Sequence, residues 1–167
     1  MGYEIYPLST EHATELWRSI LRTGEPHGLL VTGPNLSRAV EQGITDTHLH
    51  VNSGINPFEA GAGRFVDLDA APFVGREALV RAAAEPLRRH TLGLVAEGAL
   101  PRMEAHWPVK GDGGRGGEVR WAAHSYALGK DVAIALLDAR IAVGDTVAIE
   151  HEQGSTPANV VGMPFVD

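Results

Sequence analysis

The sequence predicts an α+β protein whose C-terminal half is a small antiparallel β-barrel or sandwich. Three observations predict it. In the first half, apolar residues recur at helical spacing, as in Ala13, Leu16, Trp17, Ile20 and Leu21. After residue 90 the pattern changes to short apolar segments at regular intervals, punctuated by glycines, prolines and acids. The chain is also 44% apolar and 21% charged over 167 residues, enough to bury a core.

Each element follows in order. Residues 3–8 read as a short strand closed by Pro7. Ser9 or Thr10 caps a helix that runs to about Thr23, and Gly24 ends it with a residue tolerant of positive φ. Residues 28–32 read as a strand or extended lead-in. Gly33-Pro34-Asn35 turns the chain into a second helix, with Pro34 near its first position and Gly43 just past its end. Residues 44–63 have no clean period and are expected to form a long ordered loop. Phe65–Leu68 reads as a brief strand, and Phe73–Glu77 leads into a third helix ending near Ala84. Pro86 marks residues 84–90 as a linker, dividing the chain into domains 1–85 and 86–167. The barrel segments are 92–95, 105–109, 118–123, 132–137, 147–150 and 159–162. Strand alternation places Val119, Trp121 and Ala123 on one face, and Val132, Ile134 and Leu136 on one face.

Composition excludes several function classes. The net charge of −7 argues against nucleic-acid and anionic-membrane partners. With no cysteine there is no disulfide, thiolate metal site or cysteine nucleophile. No apolar run approaches membrane-spanning length, no leader pattern is present, and cytoplasmic residence is the expectation.

Six blocks carry a family resemblance: Gly2-Tyr3-Glu4; Gly33-Pro34-Asn35 with the helix ending Glu41-Gln42-Gly43; Asn56-Pro57-Phe58-Glu59-Ala60-Gly61; Phe65–Leu68 with Phe73-Val74-Gly75-Arg76-Glu77-Ala78-Leu79; Tyr126–Ala135; and the ending Val160–Asp167. In this order they resemble the C-terminal half of the aminomethyltransferase family, which includes the glycine cleavage T-protein and tetrahydrofolate-dependent demethylases. Gly33-Pro34-Asn35 and Asn56-Pro57-Phe58-Glu59 resemble the demethylase branch more than the glycine-cleavage branch. The resemblance implies the closing part of a folate-binding α+β core followed by the family's barrel. It implies tetrahydrofolate as cofactor, a small methylated substrate, and transfer of a methyl or methylene group to N5 of the folate. The family's catalytic aspartate lies in its front half, so no catalytic residue is expected here. A partner chain carrying that half is expected to supply it, and the start at Met1-Gly2 is expected to be that of a natural short chain. The alternatives are a non-catalytic folate-fold module that binds a partner or ligand, and a fragment of a longer enzyme.

The resemblance assigns Glu4 to the pterin, whose adjacent amino group and ring N–H suit one carboxylate. By residue type alone Glu4 is a solvated strand carboxylate. Asn35 either contacts folate or caps the second helix. Arg64 either pairs with a folate carboxylate or with Asp67 or Asp69 on the surface. His48 and His50, in the unpatterned loop, are candidate substrate contacts; a metal reading lacks a defined third ligand. Glu59, flanked by glycine in its loop, is expected to tie down backbone N–H groups. Gly111–Gly117 lacks the Gly-Lys-Ser/Thr ending of a phosphate loop and reads as a hairpin between two barrel strands. Ser125 lacks a nucleophile elbow, and hydrolysis is unsupported.

Overall fold

A computed structural model describes residues 3–33, 35–44 and 54–166. The backbone falls into two units, residues 1–34 and 35–167.

In the first unit, Ser9 accepts the Glu11 N–H at 3.2 Å and starts a 3₁₀ turn, Thr10–His12. The turn runs into helix α1, Ala13–Gly24. The expected apolar stripe forms, but nothing in the helix is buried, and Trp17 is 50% exposed. Gly24 itself is right-handed; the left-handed residue is Gly28 (φ 75°), after a further turn over Glu25–His27. Gly24 serves by size instead, since a Cβ there would lie 2.4 Å from the Leu29 side chain. The strand expected at 3–8 does not form, and of the two readings of 28–32 the strand does not form either. A strand is held by ladder bonds, and no segment among the described residues pairs with either stretch.

The second unit is built on a closed six-strand antiparallel barrel. Its strands are β1 (Arg89–Ala96), β2 (Trp107–Lys110), β3 (Gly116–Ser125), β4 (Lys130–Asp138), β5 (Thr146–His151) and β6 (Gly154–Val161). The order around the barrel is β1-β4-β3-β2-β5-β6, so β1 pairs with both β4 and β6 and no edge is left. All six expected segments form. The 111–115 connection is the hairpin between β2 and β3, as expected. Leu94, Val109, Val119, Ala133, Ala135, Leu137, Ile149 and Val160 fill the interior with Trp107.

Strand β4 is buried on both faces. Ala133, Ala135 and Leu137 point in, while Val132 and Ile134 point out under helix α2 (Leu36–Glu41). Val40 of α2 is fully buried there, with Trp121, Ala123, Met163 and Phe165 around it. The C-terminal residues clasp this helix: Phe165 N–H donates to Glu41 O at 2.8 Å, and Phe165 lies over Gly93, where a Cβ would be 2.7 Å from its ring.

Two further expectations are corrected. Val119, Trp121 and Ala123 do not share a face, because the register slips between Val119 and Trp121. Arg120 is the extra residue of a bulge, so Val119 packs inside while Trp121 and Ala123 pack outside. Residues 65–68 form no strand; a 3₁₀ turn, Gly63–Phe65, stands there. The lead-in at 73–75 then reaches helix α3, Arg76–Ala84, whose Arg76 Nε donates to Leu68 O at 2.8 Å.

Candidate functional site

The bulge in β3 also borders a concave feature of the second unit. A groove of about 800 Å³ runs between the outer face of β3 and the segment 100–106. Arg120 lies in it with only 5% exposure. Burial of a guanidinium requires partners, and Arg120 donates to the Glu118 carboxylate and approaches His106 Nδ1 at 3.4 Å. His124 Nδ1 lies 2.7 Å from Asp131 Oδ1. Asp131 Oδ2 in turn accepts the Leu100 N–H at 2.7 Å, which ties the 100–106 segment to β4. Leu36, Leu100, Pro101, Met103 and Trp121 give the groove apolar walls.

This grouping was not visible in the sequence. A bulge turns on one surplus residue, and Val119-Arg120-Trp121 reads as ordinary alternation until the register is known.

The residues singled out by sequence stand as follows. Glu4, in the first unit, is exposed and accepts a hydrogen bond from the Tyr6 hydroxyl. That bond holds the Tyr6 phenol above its ordinary pKa. Asn35 caps α2, its Oδ1 accepting the Arg38 N–H at 3.0 Å. Arg64 is exposed, and its guanidinium stacks over the Phe65 ring at 4.6 Å rather than meeting Asp67 or Asp69. His48 and His50 lie outside the described residues.

Glu59 does tie down its loop. It is buried, accepts the Asn56 N–H at 3.2 Å and faces Arg89 Nε at 3.5 Å. Its backbone carbonyl accepts the Thr91 hydroxyl at 2.9 Å, fastening the loop to β1. Ser125 is fully buried and donates to Glu41 Oε1 at 2.6 Å, so its hydroxyl is engaged in docking α2. Among the described residues no cluster of three or more metal-ligating side chains occurs.

Residues 89–167, the barrel and its clasp, match a family model described as the glycine cleavage T-protein C-terminal barrel domain. The aminomethyltransferase of Streptomyces avermitilis is 35% identical over 173 residues, covering 98% of this chain and 46% of that protein. The chain is thus similar, over nearly its whole length, to the C-terminal part of aminomethyltransferases. A second aminomethyltransferase, from Caldanaerobacter subterraneus, is 32% identical over 98% of this chain and 44% of its own length. The dimethylsulfoniopropionate demethylase DmdA of Ruegeria pomeroyi is 29% identical over 95% of this chain and 44% of its own length. The chain thus spans just under half the length of the curated relatives it matches. The crystal structure of the glycine cleavage system aminomethyltransferase T from Bartonella henselae shares the fold, with a TM-score of 0.67 at 22% identity over 78% of this chain and 37% of that one. Both aminomethyltransferases and a demethylase therefore stand among the relatives.

Proposed function

We propose that the chain supplies the C-terminal half of a tetrahydrofolate-dependent methyl or aminomethyl transferase, most like the demethylase branch, and that it works with a partner chain carrying the N-terminal half. In this reading residues 1–85 close the folate-binding core and residues 86–167 are the barrel domain. The observation that carries it is the collinear match of 98% of the chain to less than half of an aminomethyltransferase.

The residues present suit a folate. Glu4 is exposed, and its carboxylate keeps acceptor positions beyond the one that meets Tyr6. Asn35 uses its Oδ1 for the cap, and its amide nitrogen makes no hydrogen bond among the described residues. Arg64 presents an exposed guanidinium suited to a carboxylate. Glu4 would hold the pterin, Asn35 and Arg64 the remainder of the cofactor, and His48 and His50 the methylated substrate. When bound, tetrahydrofolate supplies the nitrogen that receives the one-carbon unit. The work left to the protein is orientation of the pterin, with the proton-handling aspartate on the partner.

The test is folate methylation by this chain alone, by an N-terminal half alone, and by the two together. Activity is expected only in the mixture, and turnover by the single chain would sink the proposal. A non-catalytic module is the second reading. The engagement of Glu4 by Tyr6 favours it, as does segment 3–8, which joins no sheet among the described residues. A stable complex of the two halves that binds no tetrahydrofolate in calorimetry would select it.

A further inference from the structure

The groove on the outer face of β3 holds an imidazole whose two nitrogens have unequal roles. An ionised carboxylate only accepts, so His124 Nδ1, at 2.7 Å from Asp131, carries the hydrogen and donates it. Asp131 cannot swing away easily. Its side chain is 15% exposed and its second oxygen is held by the Leu100 N–H. The Tyr126 ring meets the imidazole edge-on at 5.0 Å and restrains it further. In the neutral ring Nε2 is therefore a bare acceptor. It makes no hydrogen bond among the described residues, and His124 lines the groove.

The surroundings define what that acceptor meets. The groove's charges balance, Arg102 and Arg120 against Glu104 and Asp131, and Arg120 already meets Glu118. A net anion or cation gains little there. The walls are mixed, and their apolar part includes the Trp121 indole, which favours a flat ring. About 800 Å³ is the size of a pocket for a small organic molecule.

We propose that this groove binds a neutral aromatic or heteroaromatic molecule bearing a hydroxyl or N–H group, and that His124 Nε2 accepts its hydrogen. Asp131 is the positioning residue, fixing the tautomer that leaves Nε2 free. The inference rests on the second unit alone and does not depend on the folate reading.

Long-range ¹H–¹⁵N spectra of the intact chain read the tautomer directly, and Nδ1–H is expected. Phenol is the probe and toluene its counterpart without a donor. Phenol should shift the His124 and Trp121 resonances and bind about fivefold or more tightly than toluene, the worth of roughly one hydrogen bond. His124→Phe should bring the two probes to equal affinity, with circular dichroism unchanged because His124 is half-exposed. Asp131→Asn, whose oxygen can keep the Leu100 N–H and whose amide then donates to Nδ1, should shift the ring toward Nε2–H and weaken phenol more than toluene. An Nε2–H tautomer in the wild type, equal binding of both probes, shifts away from the groove, or no binding up to the solubility of phenol would each overturn the proposal.

Discussion

Glu41 accepts the Ser125 hydroxyl at 2.6 Å and the Ala127 N–H at 3.2 Å, and these bonds hold its carboxyl below the usual glutamate value. A carboxyl lowered in the folded state adds stability that is complete above its unfolded value, near 4.5, and is lost as pH falls through the folded one. Urea unfolding should therefore show stability falling between pH 6 and pH 3. Asp138 and Glu150, also lowered, contribute to the same acid loss, so the informative comparison is with Glu41→Gln. That variant should be less stable at pH 6 and flatter with acid. Parallel pH profiles for both proteins would refute the assignment. Two glycines give a second test at this scale. A Cβ on Gly117 would lie 2.3 Å from the Leu136 carbonyl oxygen, which the β3–β4 ladder fixes, whereas one on Gly93 meets the Phe165 ring, a side chain that can move. Gly117→Ala should cost more than Gly93→Ala, by at least about 1 kcal/mol in chemical denaturation. Single residues were legible in the sequence where their role is local. Asn35 has capping chemistry and Glu59 stands among glycines, and both do what those settings suggest. Arg120 was not legible, because its burial depends on a register slip between β3 and β4 that the alternation of residues does not reveal.

At the scale of elements, α2 is too short to persist unaided, since isolated helices below roughly 12 residues are marginal in water. Its stability comes from Val40 in the pocket made by Val132, Ile134, Trp121 and the clasp. Val40→Ala should lower stability by about 1–3 kcal/mol, and because Trp121 borders the pocket its fluorescence should change as well. A variant that loses stability with an unaltered Trp121 spectrum would place the damage elsewhere. The barrel strands and helices were predicted well because apolar period and turn residues specify them locally. The strands at 3–8, 28–32 and 65–68 failed for the opposite reason. Apolar content qualifies a segment for a ladder, but a partner edge must exist to receive it. Reading Val132 and Ile134 as one face was correct, but the pattern could not say that this face looks outward, under α2.

At the scale of the whole chain, α1 presents Leu16, Trp17, Ile20 and Leu21 with none of them buried. A stripe left only partly covered, with Trp17 exposed, is expected of a surface that meets further protein. Leu16→Asp should abolish co-purification of an N-terminal half without shifting the melting of the barrel; unchanged co-purification would remove α1 from that contact. In the assembled protein Glu4→Gln should weaken folate binding by about ten- to a hundredfold, the worth of one charged hydrogen bond. Tyr3→Phe is the control and should leave affinity near wild type. Equal affinity of Glu4→Gln and wild type would remove Glu4 from the pterin.

The clasp on α2 carries a kinetic consequence. Gln42 Nε2 reaches the carbonyl of Val166 across 124 positions of chain. The surface that receives Val40 is assembled from β3, β4 and the residues after β6. The β3–β4 hairpin can offer its part early, but Met163 and Phe165 reach the site only once β6 has closed the barrel against β1. Bringing such distant segments together is slow compared with forming neighbouring hairpins. In refolding experiments the seating of α2 should thus be a late event, seen as a Trp121 fluorescence phase that trails the return of β-sheet ellipticity.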